Sequence, residues 1–178
     1  SVLKHHTANQ NHGLEVYWLG SKKGPELKLS QEQNIPFHHV PAGKLRRYFD
    51  WRNFTDIFKT FAGTIKAWWI LGKLKPNVVF SKGGFVSFPT VFAAWLRNIP
   101  VVAHESDVVP GLTTKLCFPF VKKQCLGFAA SKSYFSQNHN KLVYTGVPLR
   151  DAILRGNSES GLQFLGLTTK TKPVLLVM

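Results

Sequence analysis

Acidic residues are scarce in this chain. Nine Asp and Glu stand against 23 Lys and Arg in 178 residues, a formal net charge of +14, and the isoelectric point lies near 10.0. Such an imbalance calls for an anionic partner or surface, and nucleic acid, anionic lipid and phosphorylated small molecules all qualify. Cysteine is sparse too. Cys117 and Cys125 have neither the close spacing of a metal knuckle nor the even framework of a small secreted scaffold, so they read as reduced thiols of a cytosolic protein. No charged-then-apolar leader stands at Ser1, and no uninterrupted run reaches the roughly 20 apolar residues that cross a bilayer. The expectation is a soluble or peripheral protein. What is plentiful is core material, 44% hydrophobic residues, enough for one domain or for one domain and part of another.

Residues 80–112 hold the densest pattern. A strand at 77–80 feeds the turn Ser81-Lys82-Gly83-Gly84, a helix is predicted from Pro89 to Leu96, and a strand at 99–103 feeds His104-Glu105-Ser106-Asp107. In open parallel sheets ligands bind beyond the carboxyl ends of such strands. Two ligand-competent turns therefore share one sheet edge.

A long helix is predicted from about Trp51 to Gly72, with Asp50 placed as its N-cap. Phe54, Phe58, Phe61, Ile65 and Trp68 recur at intervals of four and three and form one stripe, widened by Trp51, Ile57 and Trp69. Arg52, Lys59, Lys66 and Lys73 recur every seven residues along one flank. Two readings stand. The stripe packs on a sheet and leaves a solvated basic edge, or it faces the headgroup region of an anionic bilayer. Basic residues elsewhere are spread, apart from Lys44, Arg46 and Arg47, without the interleaved exposed aromatics of a nucleic-acid surface.

Strands and helices alternate along the rest of the chain. Strands are predicted at 14–19, 36–40, 124–127 and 141–144, and helices at 25–34 and 112–120. The alternation implies a parallel sheet with right-handed crossovers. Residues 172–178 have the pattern of a buried strand without its following turn, and the polar, histidine-rich residues 1–13 precede a strand that has no first strand before it. The expectation is a chain truncated at both ends. Residues 156–171, rich in Gly, Asn, Ser and Thr, then read as a crossing into a second domain.

Three motifs in order carry a specific resemblance: Gly43-Lys44-Leu45-Arg46-Arg47-Tyr48, the stretch from Lys75 through Lys82-Gly83-Gly84-Phe85 to Ser87, and His104-Glu105-Ser106-Asp107 with Pro110-Gly111-Leu112-Thr113. The chain resembles the MurG family, most closely its Gram-positive branch. That family transfers N-acetylglucosamine from UDP-N-acetylglucosamine to undecaprenyl-pyrophosphoryl-muramoyl-pentapeptide, in peptidoglycan synthesis. The resemblance implies an α/β, Rossmann-like amino-terminal domain of a GT-B glycosyltransferase, first strand missing. Residues 1–155 would be the acceptor-binding, membrane-associating domain, and 156–178 the crossing and first strand of the donor-binding domain.

By the same resemblance Lys82, Gly83, Gly84, Phe85, His104 and Glu105 face the acceptor, while Asp107 and Arg150 face the donor sugar and its phosphates. Asp107 stands where many members carry an asparagine. As a carboxylate it accepts from sugar hydroxyls and donates nothing. Arg150 suits diphosphate through its fixed two-pronged donor geometry. Phe54, Phe58, Phe61 and Trp95, with Lys59 and Lys66, match a membrane-facing patch. The resemblance implies no cofactor and no metal, and it places the catalytic base upstream of Ser1, so His5 and His6 do not take that role. The expected partners are UDP-N-acetylglucosamine, the undecaprenyl-linked acceptor, an anionic membrane surface on the cytoplasmic side and the missing carboxyl-terminal domain, with no nucleic acid. The fragment is expected to be inactive alone. Two alternatives stay open: a non-catalytic basic module for membranes or nucleic acid, and another lipid-acceptor GT-B enzyme such as a diacylglycerol galactosyltransferase.

Overall fold

Short apolar runs punctuated by glycine, proline and asparagine become short parallel strands here, and the periodic segments between them become helices. The computed structural model describes residues 13–22, 24–43, 52–135, 139–149 and 151–167. Their elements in chain order are β1 (Trp18–Gly20), α1 (Pro25–Glu32), β2 (Phe37–His39), α2 (Arg52–Leu74), β3 (Val79–Ser81), α3 (Ser87–Leu96), β4 (Val101–Glu105), α4 (Leu112–Cys117), β5 (Lys123–Leu126), β6 (Leu142–Tyr144), α5 (Asp151–Leu154) and α6 (Ser158–Phe164). Short 3-10 turns follow α4 and flank residues 129–141. The expected N-cap Asp50, the basic cluster at 44–47, Arg150 and the strand at 172–178 lie outside the described residues.

The chain divides into two compact units. In the larger, Leu14–Pro148, β1 pairs with β2, and β3, β4, β5 and β6 form a second sheet in that order, every pairing parallel. The smaller unit takes in Ser1–Gly13 and Leu149–Met178. Within residues 156–171, read as a crossing into a second domain, the structure forms α6. Asn157 caps it, its side-chain oxygen accepting from the N–H groups of Glu159 and Ser160 at 2.8 and 3.2 Å, which offsets the weak helix propensity of the Ser and Gly residues beyond.

The core of the larger unit is built from Val40, Ala67, Leu71, Val91, Ala93, Ala94, Val101, Ala103, Cys117 and Val121. Val79 of β3 packs against it. Phe80, pointing to the other side of the sheet, is exposed, as the two-residue period of a strand dictates.

How α2 packs is the chief surprise. Its buried positions are Asp56, Gly63, Ala67 and Leu71, spaced by seven and four, while Ile57, Phe58, Phe61, Ile65, Trp68 and Trp69 are exposed. The aromatic stripe faces outward. Gly63 explains the choice, because a Cβ there would collide with the Pro41 carbonyl oxygen and meet Pro89 of α3. Only a face of small residues lets α2 approach α3 and the end of β2 this closely. Lys75, at φ 45°, and Pro76 then end α2.

Candidate functional site

The register of β3 and β4 assembles the first constellation. Ser81 lies beside Ala103, so the residues that follow, Lys82 and His104, become neighbours although 22 positions separate them. Lys82 Nζ is 3.1 Å from His104 Nδ1 and donates to Ser106 Oγ at 2.6 Å. His104 Nε2 lies 2.9 Å from the Gly146 carbonyl oxygen. A carbonyl only accepts, so the ring carries its proton on Nε2 and offers Nδ1 to the lysine. His104 thereby acts as a strut for an exposed cation.

Next to Lys82 the backbone turns through Gly83 at φ 95° and Gly84 at φ 86°, a left-handed path that side-chain-bearing residues resist. Nothing lies within 4 Å of where a Gly84 Cβ would be. The turn opens onto space rather than onto protein. Ser87 Oγ donates to the Gly83 carbonyl at 2.6 Å and the Ser87 N–H to the Gly84 carbonyl at 3.1 Å, tying the turn to α3. Val86 stands at the N-cap of α3 and supplies no side-chain cap. Among the described residues the N–H groups of 83–86 find no acceptor, next to the positive end of a helix dipole. Half-buried Phe85 sits inside this turn. The cavity beneath it, about 10 Å³, is too small for anything but a water molecule, so a ligand would lie over the turn.

Glu105 has a different task. One carboxylate oxygen accepts from the Asp107 N–H at 3.0 Å, and the other from the Gly111 N–H at 3.2 Å and Thr114 Oγ1 at 2.6 Å. Burial by itself would raise its pKa. The hydrogen bonds from Thr114 and from the N–H groups of Asp107, Gly111 and Ser106 outweigh that and hold the carboxyl below its ordinary value. Glu105 is an ionised clasp across the 105–114 loop. Asp107, held by its N–H on Glu105 and by its carbonyl under Ser131 Oγ at 3.0 Å, presents an exposed side chain. Burial lifts the Cys117 thiol to about 12, leaving it protonated and unreactive. No cluster of three or more His, Cys, Asp or Glu is placed to hold a metal among the described residues.

The second constellation is apolar. Phe58 is 74% exposed, Phe61 66% and Trp69 65% on α2. On α3 the exposed Trp95 stacks on Phe92 at 5.6 Å, with Phe120 edge-on to Phe92 at 5.1 Å. Lys59 pairs with Asp56 at 3.2 Å, and Lys66 Nζ lies 3.4 Å from His39 Nδ1. Burial, then the charges of Lys66 and Lys22, lowers the His39 pKa. Phe54 lies in α2, its side chain outside the described residues. Arg97 adds a cation that the sequence did not flag: its guanidinium lies 3.8 Å from the centre of the Trp68 ring, and its Nε donates to the Trp68 carbonyl at 2.5 Å. The roles of Ser106 and Thr114 were likewise invisible in sequence, since each depends on loop folding. Among the described residues no helix is long and apolar enough to cross a membrane.

Comparison with known proteins gives a consistent result. The family model described as glycosyltransferase family 28 N-terminal domain matches residues 7–125. A relative from Legionella pneumophila (strain Lens) named UDP-N-acetylglucosamine--N-acetylmuramyl-(pentapeptide) pyrophosphoryl-undecaprenol N-acetylglucosamine transferase is 50% identical over 166 residues, 93% of this chain and 45% of the relative. A relative of the same name from Clostridium botulinum (strain Alaska E43 / Type E3) is 50% identical over 171 residues, covering 96% and 47%. The crystal structure of Acinetobacter baumannii MurG superposes with a TM-score of 0.64 at 29% identity, over 85% of this chain and 42% of that one. A UDP-GlcNAc 2-epimerase from Methanocaldococcus jannaschii, 14% identical, shares the fold alone, with a TM-score of 0.61. The chain spans about half the length of the curated relatives it matches.

Proposed function

The chain belongs to the glycosyltransferase family 28 N-terminal domain family, and from that premise we propose that it is the acceptor-binding half of an enzyme that transfers N-acetylglucosamine from UDP-N-acetylglucosamine to undecaprenyl-pyrophosphoryl-muramoyl-pentapeptide. It is a parallel α/β, Rossmann-like domain of the GT-B kind. The observation that carries the reading is the turn at 82–86. A lysine held by His104 and Ser106, two glycines and an uncapped helix start converge there on open space, a combination suited to a diphosphate. Lys82, Gly83, Gly84 and Phe85 contact the acceptor diphosphate in this reading. His104 positions Lys82, and Glu105 orders the loop that carries Asp107 toward the donor sugar. Arg150 is assigned to the donor phosphates on the resemblance alone.

The exposed face of α2 and α3 supports a second element of the proposal. Phe54, Phe58, Phe61 and Trp95, with Lys59, Lys66 and Arg97 around them, dock on the anionic cytoplasmic face of the cell membrane as a peripheral patch. The far end of the acceptor tail stays in the bilayer while its head reaches the turn. Donor binding and turnover need residues beyond this chain. Equilibrium binding of the lipid-linked acceptor and of UDP-N-acetylglucosamine tests the assignment. The acceptor is expected to bind and to lose at least tenfold in affinity in Lys82→Ala, with no transfer by this chain alone. Acceptor binding indifferent to Lys82, or robust turnover, would contradict it.

A further inference from the structure

A groove of about 710 Å³ runs between α2 and α3, a volume in the range of roughly 300–1,000 Å³ that holds small ligands. Its walls include Ile65 and Trp68 of α2, Phe88, Phe92 and Leu96 of α3, and Leu116 of α4. Two hydroxyls also line it, and both are engaged. Thr60 Oγ1 donates to the Asp56 carbonyl at 2.7 Å and Thr64 Oγ1 to the Thr60 carbonyl at 3.0 Å. A sugar, nucleotide or peptide placed here would exchange its hydrogen bonds to water for almost none. The walls favour a hydrocarbon.

Where the groove begins decides which hydrocarbon. Phe88 lies in the first turn of α3, four residues beyond Gly84, and the neighbouring Ser87 ties that turn to the Gly83 carbonyl. Phe88, Phe92 and Leu96 then recur every four residues down one flank of α3. One helix thus carries the anion-suited turn at its start and an apolar track of about 12 Å along its side. A molecule with a diphosphate head and one long chain would touch both. A bilayer surface would instead meet the outermost side chains, among them Phe58, which does not line the groove, and Phe61 and Trp69, which do.

We propose that this groove seats the first isoprene units of the acceptor's polyprenyl chain, a single-chain site that shares Phe61 with the patch that meets the bilayer. The proposal rests on the acceptor reading above. Farnesyl diphosphate is a soluble probe of it, titrated calorimetrically against the whole chain without vesicles and below its aggregation concentration, with inorganic pyrophosphate as the reference. Farnesyl diphosphate is expected to bind at least tenfold more tightly than pyrophosphate. Leu116→Trp, which fills the groove from its 40% exposed rim, should bring the two ligands level without weakening pyrophosphate. Ile65→Lys, at an exposed groove position, makes the same test by placing a charge, and serves if the tryptophan variant does not fold. Equal affinity of the two ligands, or an advantage that survives both substitutions, overturns the proposal while the acceptor reading stands. Vesicle binding without any advantage for farnesyl diphosphate also overturns it, since the groove would then meet only the bilayer. Failure of both ligands to bind, with Lys82→Ala without effect, would remove the acceptor reading itself.

Discussion

The strand-end turn and the α2–α3 face solve opposite problems with opposite means. At the turn, polar groups are paired with one another, and among the described residues the Lys82 charge and the N–H groups of 83–86 are left facing open space. On the helix face, large apolar side chains are left uncovered while Gly63 and Ala67 make the core contact. The difference teaches where each half of an amphiphile would go. An anionic head suits the turn, and a hydrocarbon suits the face.

Exchanging the inside and outside of α2 is the most drastic way to break this contrast. Gly63→Leu is expected to cost more than about 4 kcal/mol and to prevent cooperative folding, because its side chain would drive into the Pro41 carbonyl and Pro89. Thermal or urea unfolding checks it. The exposed Phe61, two residues away, should tolerate alanine within about 0.5 kcal/mol.

Breaking the clasp at the turn should have the next largest effect. Glu105→Ala removes the hydrogen bonds that Asp107, Gly111 and Thr114 make to a charged acceptor and is expected to destabilise by about 2–4 kcal/mol at neutral pH. The folded-state pKa of Glu105 lies below its ordinary value of 4.5, so its contribution is present above that pH and fades as pH falls through the lowered value. Wild type and Glu105→Gln should accordingly converge in stability on acidification, which urea titrations at several pH values would show.

His104→Ala sharpens the positioning role without removing the cation. A freed Lys82 should bind pyrophosphate roughly tenfold more weakly, about 1.4 kcal/mol, with a loss smaller than that of Lys82→Ala. An equal or greater loss would assign His104 direct contact instead. Least in energetic terms, Phe58→Ser should leave unfolding unchanged and lower partition onto anionic vesicles severalfold, while rising salt weakens the vesicle binding of wild type and variant alike.

The parallel strands and their turns were legible in sequence, because apolar runs ending in Ser-Lys-Gly-Gly and His-Glu-Ser-Asp name both the strand and the place where it stops. The length of α2 was legible from its periodicity. Its orientation was not, since a periodic aromatic stripe reports that a helix has two faces and not which one is covered. The two glycine and alanine positions opposite the stripe held that answer. The Lys82–His104 contact was hidden because it depends on the register between β3 and β4, and the groove because its walls come from α2, α3 and α4. Phe88, Phe92 and Leu96, at a spacing of four, were a signal that could have found one wall.

Sedimentation with anionic vesicles, with and without undecaprenyl pyrophosphate in the membrane, tests most directly whether head and hydrocarbon are held at these two places. Undecaprenyl pyrophosphate should strengthen vesicle binding. Lys82→Ala should abolish that gain while retaining basal binding, and competing duplex DNA should leave the gain intact. A gain that is absent, that survives Lys82→Ala, or that DNA removes would contradict the account.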